Sequence, residues 1–308
     1  MIYGPRQSLW NRMRHRHFVP RQEERDKAVR TRLGLDTFVE DWDTLLDRPH
    51  PGPTVPRRLW MMWDQGEAAA PPLVRTAVES WRELNPSWDV TVLDADCVTD
   101  WVEMPRLPQW VTRTAKTNIV RLRLLGRYGG AWADATAICL RPLDDWVDRA
   151  AETGRFAFAR PQPARHLASW FLAARPGDPV FETWRRWCEA YVTAPLRPSA
   201  YHWMHYTFEW LLREDRLFAA AWAEVPRLSA RGPHVLQRVL DGHLAEADRP
   251  TPAEAARLPM VKMSWKKGYT PEAVADSLAD WRVMAPPCLA TSRAVGKTYG
   301  VASTGPVL

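Results

Sequence analysis

Residues 128–136 read YGGAWADAT, and this stretch predicts where a long helix ends and a buried strand begins. Gly129 and Gly130 supply the positive φ angles that commonly terminate a helix. The residues that follow, AWADATAIC, are expected to form one buried strand, broken in polarity only by Asp134 and Thr136. A carboxylate in an otherwise apolar strand costs free energy unless something pairs with it. The position of Asp134 therefore requires a chemical explanation.

The segment before the glycines has the periodicity of a helix. Residues 115–128 read AKTNIVRLRLLGRY, in which Ile119, Leu122, Leu125 and Tyr128 recur at three-residue spacing. This spacing places them on one face of an α-helix. We therefore expect a helix that packs one face on the core and leads directly into the strand that carries the aspartate.

A strand–helix–strand pattern precedes this helix. Residues 57–63 (RRLWMMW) form a short segment of apolar and aromatic residues, which is typical of a buried strand. Residues 71–84 begin with two prolines and have apolar residues at helical spacing, as expected for a helix. In residues 88–94 (WDVTVLD), apolar and polar residues alternate, which is typical of a second strand. This alternation of elements predicts an α/β fold with a parallel sheet. Later in the chain we expect strands at 155–160 and 169–176, and helices at 141–150 and over most of 178–223.

The chain pattern predicts one α/β domain with an addition at each end. Residues 1–48 look helical and charged, and the RPHPGPTVP stretch after them contains four prolines and a glycine. We therefore assign residues 1–54 to a helical N-terminal extension with a Pro-rich linker and residues 55–280 to the main domain. Residues 281–308 have no clear periodicity and form a C-terminal tail.

The formal charge of +6 comes from 42 Lys and Arg residues interleaved with 36 Asp and Glu residues. No zinc-finger spacing, basic zipper or Arg-Gly tract occurs, so a nucleic-acid partner is not expected. An excess of basic over acidic residues suits a phosphate-bearing substrate or an anionic membrane surface. It is equally explained by a general abundance of arginine. The first 30 residues could form a basic helix lying on a membrane or a solvated helix.

Cysteine usage and hydropathy bear on location. Cys97, Cys139, Cys188 and Cys288 lie far apart without a C-x-x-C pair, as expected for reduced, buried thiols. The N-terminus has no apolar signal-peptide segment, and nowhere do 18 apolar residues run together. These features predict a cytoplasmic protein whose membrane association, if any, is peripheral.

Asp134 is the first candidate ligand-binding residue. In open α/β sheets, ligands bind beyond the carboxyl ends of the strands. A carboxylate there could hold a hard divalent cation, Mn²⁺ or Mg²⁺, that completes its shell with diphosphate oxygens. Thr136 falls on the same strand face and could add a hydroxyl. A turn cap or a salt bridge to an arginine explains Asp134 equally well.

Two polar residues of the preceding helix share a face. Asn118 and Arg121 lie one turn apart, before the glycine turn that leads to Asp134. An amide, a guanidinium and a carboxylate together could hold a nucleotide diphosphate, although singly they are ordinary helix residues. His202 and His205, three residues apart without an accompanying carboxylate, are predicted to pack rather than to bind metal.

Residues 115–136, AKTNIVRLRLLGRYGGAWADAT, resemble the S-D-x-x-R-x-x-L-L-x-x-Y-G-G-x-W-x-D-A-T signature of capsular polysaccharide synthesis proteins. These proteins are related to glycosyltransferases with a D-x-D motif, such as yeast α-1,6-mannosyltransferases and clostridial glucosylating toxins. The stretches VPRRLWMMWDQG, SWFLAARPGDPVF, YHWMHYTFEWLL and VKMSWKKG are similar to other family segments. The resemblance spans roughly residues 55–268.

The resemblance implies a GT-A fold, a Rossmann-like nucleotide-sugar-binding domain with helical additions. It implies a glycosyltransferase that moves a sugar from a nucleotide-diphosphate sugar to a hydroxyl of a glycan, a lipid-linked glycan or a small molecule, with retention of anomeric configuration. The alternative is a degenerate protein of the same fold that binds a nucleotide sugar or glycan without turnover.

The resemblance also implies roles for individual residues. Asp134, Arg121 and Lys262 would be catalytic, and Asp134 and Thr136 would hold a divalent cation. Trp63 would stack on the nucleotide base, although the three-residue spacing from Trp60 places at least one of these two rings in the core. The donor-binding residues would be Trp60, Trp63, Asn118, Arg121, Trp132, Asp134, Ser264, Trp265 and Lys266.

The chain departs from the family pattern at three positions. Asn118 stands where the family has an aspartate, Thr136 replaces the second aspartate of D-x-D, and Val261 stands where a histidine often supplies a metal ligand. Fewer anionic ligands lower the affinity for a divalent cation. We therefore expect catalysis to depend on the helix arginine and on the lysines of residues 262–266.

Overall fold

The computed structural model describes residues 42–162, 165–194 and 201–289. The strands in these ranges are β1 (Arg58–Met62), β2 (Asp89–Leu93), β3 (Gly130–Ala133), β4 (Ala137–Cys139), β5 (Arg155–Gln162), β6 (Arg165–Ala174) and β7 (Met260–Lys262). The helices are α1 (Trp42–Leu46), α2 (Pro72–Leu84), α3 (Val98–Trp101), α4 (Arg113–Tyr128), α5 (Val147–Ala150), α6 (Pro179–Thr193), α7 (Trp203–Glu214), α8 (Arg216–Ala223), α9 (Val235–Leu240), α10 (Pro252–Ala255) and α11 (Pro271–Asp280).

The strands form two sheets. The larger sheet has the order β2-β1-β3-β6-β5, in which β1 is parallel to β2 and β3, and β6 is antiparallel to β3 and β5. The smaller sheet pairs β4 with β7 in antiparallel orientation. The predicted α/β fold is confirmed, including the Rossmann-like β1–α2–β2 unit and the helical additions. Because β1, β2 and β3 run in one direction, their carboxyl ends meet at one edge of the sheet.

Helix α2 links the two sheets. Proline at its first position suits a helix start, because the first N–H groups have no partner within the helix. The indole N–H of Trp81 donates to the Ala137 carbonyl at 2.7 Å, and the Cys139 N–H donates to the Ser80 hydroxyl at 2.9 Å. These bonds hold β4 against the helix. The apolar face of α2 is buried as predicted, at Leu73, Val74, Ala77, Val78 and Trp81.

Helix α4 follows the predicted stripe but begins two residues earlier than expected. The Thr112 hydroxyl accepts a hydrogen bond from the Ala115 N–H at 3.2 Å, and this cap extends the helix to Arg113. The buried side chains of α4 include Ile119, Leu122 and Leu125, which confirms the predicted apolar face.

The glycine turn after α4 brings the chain close to β1. Gly129 and Gly130 have φ angles of 65° and 91°. The Trp60 indole N–H donates to the Gly129 carbonyl at 3.0 Å. A Cβ atom on Gly130 would lie 2.3 Å from the Arg58 carbonyl oxygen. Only glycine therefore allows β3 to pair with β1 at this point.

The prediction of one strand over residues 131–139 is wrong. The chain forms β3 and β4, which belong to different sheets. Between them the Asp134 N–H donates to the Trp170 carbonyl of β6 at 2.8 Å, and the Asp134 carbonyl accepts from the Ala137 N–H at 2.8 Å. Both strands are buried and apolar, so the sequence pattern does not indicate that the chain changes sheets between them.

The remaining predicted elements are largely present. The strands expected at 155–160 and 169–176 are β5 and β6, and the helical region 178–223 contains α6, α7 and α8. Residues 141–150 do not form one helix, because a 3-10 turn at Leu143–Asp145 and an irregular Trp146 separate the first half from α5. The Trp146 ring packs among aromatic rings of the core, those of Trp42, Phe156, Phe158 and Phe171.

The two ends of the chain are only partly described. Of the predicted helical extension, α1 is helical, and the predictions for residues 1–41 lie outside the described residues, as do those for 290–308. Trp281 and Leu289, from the predicted tail, are buried in an apolar cluster with α11. The domain boundaries at 54 and 280 stay predictions.

Two further findings concern the thiols and the helices. All four cysteines are free, as predicted, and Cys139 and Cys188 are buried while Cys97 and Cys288 are half-buried. Among the helices of the described ranges, none is long and apolar enough to cross a membrane.

The glycine turn gives a test of the fold. We expect Gly130→Ala to lower the free energy of unfolding by roughly 2–4 kcal/mol, because the new Cβ adds backbone strain and a clash with β1. The matched control is Gly177→Ala, where φ is 68° but no atom lies within 4 Å of a new Cβ. It should cost about 1 kcal/mol. Urea unfolding of the three proteins would measure this, and equal losses would contradict the close approach.

Candidate functional site

A cavity of about 590 Å³ opens at the edge where the carboxyl ends of β1 and β3 meet. Its walls are residues 62–65 at the end of β1, residues 113–121 of α4, Trp132 with the turn between β3 and β4, and residues 262–266 at the end of β7. Tyr201 and Gln237 complete the lining. The cavity therefore lies where ligands bind in open α/β sheets.

Asp134 is the anion at the centre of the cavity wall. Its Oδ1 atom accepts a hydrogen bond from the Trp132 indole N–H at 3.0 Å and lies 3.2 Å from Nη2 of Arg121. Its Oδ2 atom lies 4.0 Å from Nζ of Lys262. The side chain is 30% exposed, so this carboxylate still has lone pairs facing the cavity.

Arg121 is a buried cation held by α4. Its guanidinium lies 4.8 Å from the centre of the Trp132 ring and donates to the Ser169 carbonyl. Among the described residues its Nε–H has no hydrogen-bond partner. Burial lowers the pKa of Arg121, and the charge of Asp134 partly offsets this effect. The group nevertheless stays protonated, because arginine does not lose its proton in proteins.

Lys262 is a second cation, brought to the cavity by the small sheet. Its Nζ donates to the Thr136 hydroxyl at 2.6 Å and to the Met263 carbonyl at 2.9 Å. The side chain is only 14% exposed. Burial lowers the pKa of Lys262; Asp134 acts in the opposite direction, and Arg121 lowers the pKa further.

The charges that line the cavity do not balance. Four basic residues and two acidic residues contribute to the wall within the described part of the chain. One acidic residue, Asp64, is 3.2 Å from Nε of Arg113. The surplus of positive charge attracts an anionic ligand, and it acts strongly because two of the cations are poorly solvated. The basic residues are Arg113, Arg121, Lys262 and Lys266.

Two tryptophans form an aromatic wall at one side of the cavity. The rings of Trp63 and Trp265 meet edge to face, with centroids 5.6 Å apart and an interplanar angle of 87°. Trp265 is 47% exposed, and Nζ of Lys266 lies 5.9 Å from its ring centre. The indole N–H of Trp63 is buried with no partner within the residues described. This wall offers apolar faces to a planar polar ring.

The structure brings most of the predicted site residues together and leaves two out. Trp60 is fully buried and its indole N–H is bonded to Gly129, so it is a core residue without a surface for a donor. Asn118 is buried in α4 and is not among the lining residues. The predicted residues that line the cavity are Trp63, Arg121, Trp132, Asp134, Thr136, Lys262, Ser264, Trp265 and Lys266.

Several residues of the wall are not among those predicted from the sequence. Asp64 follows β1 as Asp134 follows β3, so the rule that ligands bind at carboxyl ends of strands could have found it. Arg113 and Tyr201 carry no comparable signal, because one lies in the first turn of α4 and the other lies in a loop. Gln237 comes from α9, and only the folded chain places it at the cavity.

The residues present do not fit a divalent cation. In the described residues no group of three or more His, Cys, Asp or Glu side chains is arranged to hold a metal ion. Both oxygens of Asp134 face cationic groups, and the Thr136 hydroxyl accepts a hydrogen bond from Lys262. A divalent cation between Asp134 and Thr136 would meet that ammonium group at close range.

The two histidines at the start of α7, of which His202 is the N-cap residue, do not add a metal site. The rings of His202 and His205 lie 5.5 Å apart, and His205 is buried. Burial lowers the pKa of His205 well below its ordinary value, so the imidazole is neutral at physiological pH. Its placement inside the helical layer agrees with the predicted packing role.

The chain belongs to the capsular polysaccharide synthesis protein family, whose family model matches residues 14–279. It is similar to O-glycosyltransferase braB of Annulohypoxylon truncatum, with 27% identity over 171 residues, which is 48% of this chain and 40% of that protein. It is also similar to O-glycosyltransferase PaGT of Phomopsis amygdali, with 28% identity over 162 residues, which is 44% of this chain and 38% of that protein. The chain thus spans about two fifths of the length of these relatives.

Among solved structures, PaToxG Glycosyltransferase is similar at 12% sequence identity, over 76% of this chain and 94% of that chain, with a TM-score of 0.36. The fold of this chain is defined by the sheet order described above.

The lowered pKa of Lys262 predicts a pH dependence of stability. Between that pKa and the ordinary value of 10.5, the unfolded chain binds more protons at this residue than the folded chain does. The free energy of unfolding contributed by Lys262 therefore rises with pH in this window. We expect wild type to gain stability relative to Lys262→Met as pH rises from neutrality to about 10.5. Urea unfolding at several pH values measures the difference, and a difference that stays constant or shrinks would contradict the burial of this charge.

Proposed function

We propose that the protein is a glycosyltransferase that moves a sugar from a nucleotide-diphosphate sugar to an acceptor hydroxyl. The observation that carries this proposal is the cavity itself, in which an aromatic wall, a surplus of positive charge and one carboxylate meet at the carboxyl edge of the sheet. Membership of the capsular polysaccharide synthesis family supports it. The donor would be anionic, with a planar base, a diphosphate and a sugar.

Each part of such a donor has a matching part of the cavity. The base would lie against Trp63 and Trp265, whose rings form the apolar wall. The diphosphate would accept hydrogen bonds from Lys262 and Lys266, and the sugar would lie by Asp134. In this arrangement the ammonium groups would contact the leaving group, and the carboxylate, which lies next to Arg121 and Lys262, would contact the sugar.

The reaction breaks the bond between the sugar C1 and the diphosphate oxygen, and the electron pair leaves with the diphosphate. The acceptor oxygen forms a bond to C1, and its proton passes to the departing phosphate oxygen, so the products are a glycoside and a nucleoside diphosphate. The buried cations stabilise the developing phosphate charge, and Asp134 stabilises the oxocarbenium-like sugar. Attack from the face of the leaving group would retain the anomeric configuration.

The acceptor is an oxygen nucleophile of a glycan, a lipid-linked glycan or a small molecule. The names of two relatives, both O-glycosyltransferases, support an oxygen acceptor. The proposal includes a cytoplasmic location, which is supported by the free thiols. It also includes peripheral membrane association where the acceptor is lipid-linked, which is supported by the excess of basic residues. The proposal does not include a nucleic-acid partner.

A second candidate is a degenerate protein that binds a nucleotide sugar or glycan without turnover. The observation that favours it is the poor fit of the Asp134 and Thr136 pair to a divalent cation. Binding would look the same for both candidates, whereas only the transferase releases a nucleoside diphosphate and forms a glycoside.

Donor binding can be tested by thermal shift with UDP-, GDP-, CDP- and TDP-sugars. A donor at 100 times its Kd stabilises the folded protein by about 2.7 kcal/mol, which raises the melting temperature by roughly 5 °C. We expect one base to give this shift and Asp134→Asn to reduce it. Asp144→Asn is the control, because that carboxylate pairs with Arg57 away from the cavity. If none of the donors shifts the wild type, the nucleotide-sugar site is refuted.

Turnover can be tested with Arg121→Lys. The lysine keeps a positive charge but cannot contact Asp134 and the Ser169 carbonyl together, so kcat/KM for transfer should fall about 10- to 100-fold. The control is Arg113→Lys on the same helix, whose side chain is 71% exposed and should change kcat/KM less than about threefold. Equal effects would show that the buried arginine has no special role, and donor binding without any product would favour the degenerate protein.

A further inference from the structure

We infer that the Lys262 ammonium takes the place of a divalent cation, so that the site binds a nucleoside diphosphate and transfers the sugar without a metal ion. This inference rests on the proposed function and adds to it the source of the positive charge. The motif residues that would hold a cation between them, Asp134 and Thr136, hold an amino group instead. Nζ of Lys262 lies 2.6 Å from the Thr136 hydroxyl oxygen and 4.0 Å from Oδ2 of Asp134.

The main chain holds this ammonium in position. Lys262 pairs with Ala137 in the β4–β7 register, and the Met263 N–H donates to the Thr136 carbonyl at 2.9 Å. The Lys262 N–H donates to the Pro233 carbonyl at 2.6 Å. Because the backbone is bonded on both sides and the side chain is largely buried, a metal ion could enter the space between Asp134 and Thr136 only by displacing the lysine.

The ammonium has one donor left for a ligand. A lysine has three N–H groups, and within the described chain two of them are used by Thr136 and Met263. Asp134 is too far away for a hydrogen bond to the third. The unused N–H of Lys262 therefore lies beside one carboxylate and close to the Arg121 guanidinium. This donor suits an oxygen of a diphosphate.

The neutral side chain of Thr136 is what keeps the charge of Lys262 available to a ligand. An aspartate at position 136 would form an ion pair with Lys262 and cancel its charge. The neutral hydroxyl of Thr136 orients the ammonium and leaves its charge for the ligand. Asp134, Arg121 and Lys262 together then carry one surplus positive charge, whereas a divalent cation shared between two carboxylates would carry none.

Isothermal titration calorimetry with UDP, GDP, CDP and TDP tests the inference on the wild-type protein, in EDTA and in Mn²⁺. We expect the best-binding nucleotide to bind in EDTA with an affinity within about tenfold of that in Mn²⁺. A gain of more than tenfold from Mn²⁺ would overturn the inference while leaving the proposed function intact. Failure of every nucleotide to bind under either condition would overturn both.

Two variants test the role of the lysine. Lys262→Met should weaken nucleotide binding in EDTA by about 10- to 100-fold, the value of one charge-assisted hydrogen bond. Lys267→Met, an exposed lysine that does not line the cavity, is the matched control and should change binding less than about threefold. The double variant Thr136→Asp with Lys262→Met should bind the nucleotide only with Mn²⁺. Unchanged binding by Lys262→Met in EDTA would overturn the inference.

Discussion

The main-chain turn at Asp134 is the constraint on which the site depends. Its N–H group is bonded to β6 and its carbonyl to the start of β4, so the position of the carboxylate is set by two sheets at once. The same turn starts β4, and β4 pairs with β7, which carries Lys262. One change of direction thus brings together groups that are 126 residues apart, the Thr136 hydroxyl and the Lys262 ammonium.

The electrostatic balance of the site follows from that packing. Two poorly solvated cations, Arg121 and Lys262, share one carboxylate, and their lowered pKa values show that Asp134 does not fully offset the cost of burial. A fold that keeps this surplus charge loses some stability. It gains a site in which a diphosphate would supply the missing negative charge, because donors that are already in place need no rearrangement to bind it.

Much of the fold and part of the site could be predicted, because the relevant signals are local. The apolar face of α4, the glycine turn and β3 follow one another without a break, so Arg121 and Asp134 could be placed together from their spacing. Spacing also grouped Asn118 with them, but that side chain is buried in α4 and does not line the cavity. The place of Trp132 came from the family resemblance. Spacing also showed that Trp60 and Trp63 lie on opposite strand faces. It did not show which face meets the core, since that depends on Tyr128 and Trp101 packing against Trp60.

The sequence by itself determined the α/β class, the helix that carries Arg121, the turn at Gly129 and the family of the chain. Only the tertiary structure decided that residues 131–139 divide between two sheets, and that an ammonium lies between Asp134 and Thr136. Periodicity reports which residues of one element are buried, because burial follows the repeat of that element. It carries no information on which distant strand covers them, because that choice minimises the free energy of the whole core.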